Sequence, residues 1–194
     1  MRKIDPGTGP LLVTQDMKTI GLQSTFMGGF FCNIVNPCPL LQSFKTPANQ
    51  RTDVVTNPDV YNQTTTSDAG ALLSDLYQCA QDNGGALVAA FPGKINQAVC
   101  QQIIGYLERD RIGSLIEAGL PEGTQIAHKH GWISDPTTGI INNFSDAAIV
   151  YSPGGNYVLV VYVYHPIQAV FEPVAKMFAQ ISRAVYDYYN VPSQ

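Results

Sequence analysis

Charge is scarce in this chain. Only 13% of its 194 residues are Asp, Glu, Lys or Arg, and the 11 basic side chains never gather into a run. A protein that neutralises nucleic acid phosphates needs such a patch. With a net charge of −4 as well, nucleic acid is excluded as an expected partner. Long apolar runs are missing too. The longest, Tyr157 to Tyr164, falls far short of the ~20 residues of a membrane-spanning helix and suits a buried strand instead. No apolar stretch follows Arg2 and Lys3 in "MRKIDPGTGP", so no signal peptide is expected within the chain. Cysteine is limited to four residues, none in the C-x-x-C spacing of a zinc or redox site. Glutamate does not occur before Glu108.

What is present is ample apolar material, 45% of the residues. That supports a packed core and argues against disorder. Cys32 and Cys38 bracket the turn-rich "NIVNP", and Cys79 and Cys100 flank a Gly-rich connector. Two disulfides fit, with Cys79–Cys100 favoured because it would staple two helices. Four buried free thiols are the alternative. Disulfides imply an extracytoplasmic home: secreted, periplasmic or in the cell envelope. The leader of such a protein is then expected outside this sequence.

Val13 to Ile20 reads as a short helix ending at Gly21. Residues 26–63 are rich in Pro, Asn, Thr and Gly with little periodicity, and so long a loop is usually functional. "TTTSDAGALLSDLYQCA" starts a helix capped by Thr66 or Ser67, with Leu72, Leu73, Leu76 and Tyr77 as its stripe. Asn96 caps another, with Val99, Ile103, Ile104 and Leu107 on one face. A short helix is expected around Leu115 to Ala118. After Pro121 the period changes. Strands are expected at Gln125–Ile133 and Ala147–Tyr151, then an "SPGG" turn and the strand "NYVLVVYVYH". The last strand is apolar on both faces, which predicts a central or covered position. Val170, Val174, Met177, Ile181, Val185 and Tyr188 close the chain as an amphipathic helix. Helices, an antiparallel three-strand meander and a terminal helix make an α+β protein.

This order resembles the second half of the class A β-lactamase and penicillin-binding-protein fold. "HKHGW", His128 to Trp132, stands where that family carries Lys-Thr/Ser-Gly on the strand bordering the active site. "TTTSDAGALLSDLY" is similar to the Thr-rich start of the helix after the family's Ω-loop, and "SDAAIVYSPGGNYVLVVYVY" to its last two strands. The resemblance implies that residues 1–122 belong to the mainly helical region, with an Ω-like loop at about 26–63. Residues 123–194 then form the C-terminal half of the sheet region with its covering helix. In such enzymes a serine attacks a lactam or peptide carbonyl. Lys129 is expected to anchor the substrate carboxylate. Gly131 lets ligand approach the backbone, and the Trp132 N–H is an oxyanion donor. His130 replaces the usual hydroxyl with an imidazole, which can donate to the same carboxylate. Asp53 and Asp59 are the acidic candidates of the Ω-like loop. No cofactor is implied.

Other parts of the pattern are missing. No serine has lysine three positions on, so Ser-x-x-Lys is absent. "SDA" at Ser67 and Ser145 and "SDL" at Ser74 lack the asparagine of Ser-Asp-Asn. The family's first helix and two N-terminal strands have no counterpart. The nucleophile is therefore expected outside this chain. Two function classes stand: the C-terminal part of an exported serine hydrolase acting on β-lactams or cell-wall peptides, or a non-catalytic binding or scaffold domain. A rival reading of His128-x-His130 is a metal site with Asp135 as third ligand. A structural pair is preferred and no metal is expected. The expected partners are an N-terminal segment of the same fold or a second copy. The terminal helix can cover only one face of Tyr157–Tyr164, unless Leu11, Leu12, Phe26, Phe30, Phe31, Leu40 and Leu41 fold back over the other.

Overall fold

The computed structural model describes residues 8–30, 42–54, 56–135 and 137–191. They divide into two compact units, one ending at Ala71 and the other beginning at Leu72. Cys32 and Cys38 lie outside the described residues, as do Phe31, Leu40 and Leu41.

In the first unit, α1 spans Gly9–Thr19 with Pro10 in its first turn, where a missing N–H costs nothing. Gly21, at φ +89°, lets the chain turn after it. The buried Thr14 hydroxyl donates to the Met27 carbonyl and accepts from the Met27 N–H, each at 2.8 Å. The region read as one long loop has paired ends. β1, Phe26–Met27, lies antiparallel to β2, Asn62–Gln63. Asp68 adds a second tie, accepting from the Ser24 N–H at 2.9 Å and the Thr25 hydroxyl at 2.8 Å. These ties bring the two ends of the segment together.

The unit boundary falls inside α2, Thr66–Asp82. Its cap is Thr65, whose hydroxyl accepts the Asp68 N–H at 3.0 Å, and neither Thr66 nor Ser67. Those two already have helical backbone, and a cap must sit just outside the first turn. In the second unit, α3, Gly85–Ala90, occupies part of the Gly-rich connector. α4, Gln97–Leu107, is capped by Asn96 as expected, through the Val99 N–H at 3.1 Å. The disulfide Cys79–Cys100 joins α2 to α4 with Cα atoms 6.0 Å apart. The turn near Ala118 is a single 3-10 turn, Glu117–Gly119, preceded by Leu115 at φ +59°.

β3, Ile126–Ser134, β4, Ile141–Val150, and β5, Tyr157–Tyr164, form an antiparallel sheet in that order. β4 begins six residues earlier than the sequence reading put it. Asn142, Asn143, Ser145 and Asp146 hid the strand signal there, yet all of them pair in the ladder or its continuation. α5, Phe171–Tyr189, follows. One core gathers Ile116, Ile126, Phe144, Val150, Val174 and Phe178 between the sheet and α5. A second gathers Leu73, Leu76, Cys79, Cys100, Ile104, Ala127 and Ile149.

β5 is an edge strand, not a central one. Its two apolar faces are nonetheless both used. Leu159, Val161 and Val163 pack on the α5 core, while Val158 and Val160 pack on the α2/α4 core. The expectation that only α5 would cover the strand is therefore corrected: helices of the same unit cover the other face. What stays open is the edge. The His165 N–H bonds the Asn142 carbonyl at 2.8 Å. Antiparallel pairs alternate, so the backbones of Val158, Val160, Tyr162 and Tyr164 face away from β4. Among the described residues, no group pairs with them.

Candidate functional site

The same alternation fixes β3. The Tyr151 N–H bonds the Gln125 carbonyl at 3.0 Å, so the backbones of Lys129 and Gly131 turn toward β4. Those of His128, His130 and Trp132 turn outward on the open edge. The Trp132 N–H is thus free of the ladder. A Cβ on Gly131 would lie 3.2 Å from Ser145 Oγ, and the Ser145 hydroxyl donates to the Gly131 carbonyl at 3.1 Å.

Side chains alternate likewise. His128, His130 and Trp132 share the α5 face with Asp146 and Phe144, their neighbours on β4. His130 stacks on Trp132 with centroids 5.0 Å apart, and Trp132 meets Phe171 edge-on at 5.2 Å. Lys129 lies on the other face, 67% exposed, and its Nζ donates to Asp110 Oδ2 at 2.9 Å. The same oxygen lies 3.0 Å from His130 Nδ1 but off the line of a hydrogen bond.

His128 is fully buried. Its Nδ1 is 3.0 Å from Asp146 Oδ1, and its Nε2 meets the Asp110 carbonyl oxygen. A carboxylate and a carbonyl are both acceptors, an arrangement that favours a proton on each ring nitrogen. Burial opposes that charge. The hydrogen bond and field of Asp146, with the Asp110 carbonyl and carboxylate, outweigh it and raise the His128 pKa above its ordinary value. The second oxygen of Asp146 accepts the Ile116 N–H at 3.2 Å. Glu117 Oε2 stands 3.8 Å from His128 Nε2, and Glu117 also faces Arg111 at 3.7 Å. Burial pushes the Asp110 carboxyl up, but the Lys129 hydrogen bond and the charges of His130, Lys129 and His128 leave it lowered.

The sequence-named residues thus separate into groups. Lys129, His130, Gly131 and Trp132 lie together on one strand. Asp53 is spent on an exposed pair with Arg51 at 2.6 Å. Asp59 accepts the Tyr61 and Asn62 N–H groups, each at 2.7 Å. Both belong to the first unit. Asp135 accepts the Thr137 and Thr138 N–H groups. His128 and His130 have centroids 6.2 Å apart, and each addresses a different carboxylate. Among the described residues, no three His, Cys, Asp or Glu side chains converge as a metal site. Asp110 and Asp146 were missed. Their signal was a carboxylate in "RDR" at a helix end and another inside the apolar strand "SDAAIV".

The profile of the Beta-lactamase enzyme family matches residues 12–189. The chain belongs to the β-lactamase enzyme family. Among curated proteins none matches it significantly. Of solved structures, PBP-A is 21% identical with a TM-score of 0.61, covering 94% of this chain and 52% of its own. A variant of PBP-A is described as an acyl-enzyme complex with penicillin G. The TLA-1 extended-spectrum β-lactamase is 20% identical at a TM-score of 0.62, covering 95% of this chain and 55% of its own. The chromosome-encoded β-lactamase of Vibrio parahaemolyticus is 18% identical at 0.60, covering 95% and 56%. These likenesses show the fold. This β-lactamase-family chain spans about half the length of the structures it matches, and its α+β order is that of a second half.

Proposed function

We propose that this chain is the C-terminal part of an exported β-lactamase-like serine hydrolase acting on β-lactams or cell-wall peptides, supplying the Lys-x-Gly strand while the nucleophile lies elsewhere. One observation carries the reading: an ammonium at Lys129 beside a Trp132 N–H that, among the described residues, has no partner on the outer edge of β3. In an acyl transfer, the first attracts the substrate carboxylate and the second receives charge developing on the attacked carbonyl oxygen. His130 stands beside them as a second donor. An extracytoplasmic home agrees with the Cys79–Cys100 disulfide. Among the described residues, no helix is long and apolar enough to cross a membrane. In the alternative reading the same strand binds without chemistry, as a scaffold domain.

The test uses benzylpenicillin. Trp132 is the only tryptophan, so its fluorescence reports on the strand directly. Reversible binding is expected, and Lys129→Ala should weaken it at least about tenfold, the loss of a charged contact to a carboxylate. Unchanged affinity in Lys129→Ala would remove Lys129 from the site. Mass spectrometry of the isolated chain with labelled penicillin should show no covalent adduct, because Ser-x-x-Lys is absent. Stoichiometric acylation mapped to any serine here would place the nucleophile inside the chain after all.

The open edge of β5 supports a partner that continues the sheet: an N-terminal segment of the same fold or a second copy. Unpaired strand edges pair readily. Light scattering of the isolated chain should show a mass that rises with concentration. A strict monomer throughout, with no partner added, counts against self-association through this edge.

A further inference from the structure

Asp110 is not a residue that the proposed reading needs, yet it touches both side chains that the reading assigns to a substrate carboxylate. Its Oδ2 lies 2.9 Å from Lys129 Nζ and 3.0 Å from His130 Nδ1. We propose that Asp110 is an internal competitor for the carboxylate ligand: its own carboxylate occupies the Lys129/His130 cradle in the free protein and weakens the binding of an external carboxylate there. The proposal rests on the reading of Lys129 as the ligand's anchor and adds what stands in that place beforehand.

Three observations support it. The first is chemical identity, since the occupant is itself a carboxylate and uses one oxygen for both contacts. The second is anchorage. The Asp110 backbone carbonyl is held by buried His128, which is held in turn by buried Asp146. That main-chain tie holds the residue at the strand independently of its side-chain contact with Lys129. The third is the asymmetry of exposure. Lys129 is 67% exposed and Asp110 only 17%, so Lys129 is the member of the pair that an incoming anion reaches from solvent. Two carboxylates cannot share one ammonium without repulsion. The ligand therefore either displaces Asp110 or binds weakly beside it. An exposed ion pair of this kind is easily broken, which makes the contact a modest brake rather than a block.

The experiment titrates the chain, Asp110→Asn, Asp110→Ala and Lys129→Ala with benzylpenicillin, reading Trp132 fluorescence at low salt. Both Asp110 variants keep the backbone carbonyl that His128 holds, and thermal melts establish that they fold. The expected result is about three- to tenfold tighter binding in the two Asp110 variants, with the gain shrinking as salt rises. Equal or weaker binding in both Asp110 variants, with binding still lost in Lys129→Ala, overturns the competitor and leaves the anchoring role of Lys129 intact. Absence of binding in every protein, or binding that Lys129→Ala does not change, overturns the competitor together with the reading beneath it. Should the melts show one Asp110 variant unfolded, the other decides by the same criterion.

Discussion

Asp146→Ala is expected to destabilise the second unit by about 3–5 kcal/mol, the cost of leaving a buried charge without its partner. The pair is fully buried: His128 and Asp146 both have no exposed surface, and their closest atoms are 3.0 Å apart. Removing the carboxylate also orphans the Ile116 N–H. Asp146→Asn keeps one acceptor oxygen for the Ile116 N–H, and its amide N–H can donate to a neutral His128 Nδ1, so it should cost less, about 1–3 kcal/mol. Chemical denaturation measures both. A loss below about 1 kcal/mol for the alanine variant at every pH would show that the pair carries no weight.

The same pair sets a pH dependence. His128 binds its proton more tightly in the folded protein, because its pKa is raised there. Its contribution is therefore fully present below the unfolded value, about 6.5, and is lost as pH rises through the folded value. Asp110 has the opposite sign. Its lowered carboxyl stabilises above about pH 4 and loses that contribution as pH falls through its folded value. The two together place the most stable range between about pH 4 and pH 6.5. In Asp146→Ala the burial of His128 is no longer offset by that carboxylate, so the fall in stability on the alkaline side should flatten.

Opening the Cys79–Cys100 bridge is expected to cost about 3 kcal/mol, from the loop-closure entropy of a separation of 21 residues. For a protein of this size that lowers Tm by roughly 6–12 °C. The double Cys→Ser variant should lose more than the reduced wild type. Both sulfurs sit in the second core, with neither residue exposed, so two serine hydroxyls there add a desolvation cost to the entropic one. Thermal melts with and without reductant test this. An unchanged Tm on complete reduction would mean that packing alone holds α2 to α4.

Much of the fold was legible in the residue pattern because its signals are local. The period-two run at Tyr157–Tyr164, the three-and-four spacing of Val174, Phe178 and Ile181, and the Asn96 cap depend only on neighbours in sequence. Signals that depended on the partner strand were weaker. Asn142, Asn143 and Ser145 look like loop residues until β3 and β5 pair on either side of them. The cap of α2 was ambiguous for another reason: "TTTS" offers several hydroxyls, and only the backbone shows which one lies outside the helix.

By itself the sequence determined the class, the family and the strand on which Lys129, His130, Gly131 and Trp132 lie, because a motif and a strand period are properties of adjacent residues. It also determined that Ser-x-x-Lys is absent. Only the tertiary structure decided what those residues meet. Asp110 and Lys129 are 19 positions apart, His128 and Asp146 are 18 apart, and no periodicity links either pair. Whether the Trp132 N–H is free depended on the phase of the ladder with β4, since a shift by one residue exchanges the bonded and open backbone groups. The raised pKa of His128 depended on two acceptors brought from a helix end and a neighbouring strand. Coulomb attraction and desolvation act through space, so the ionisation of a buried group is settled only when the chain has folded around it.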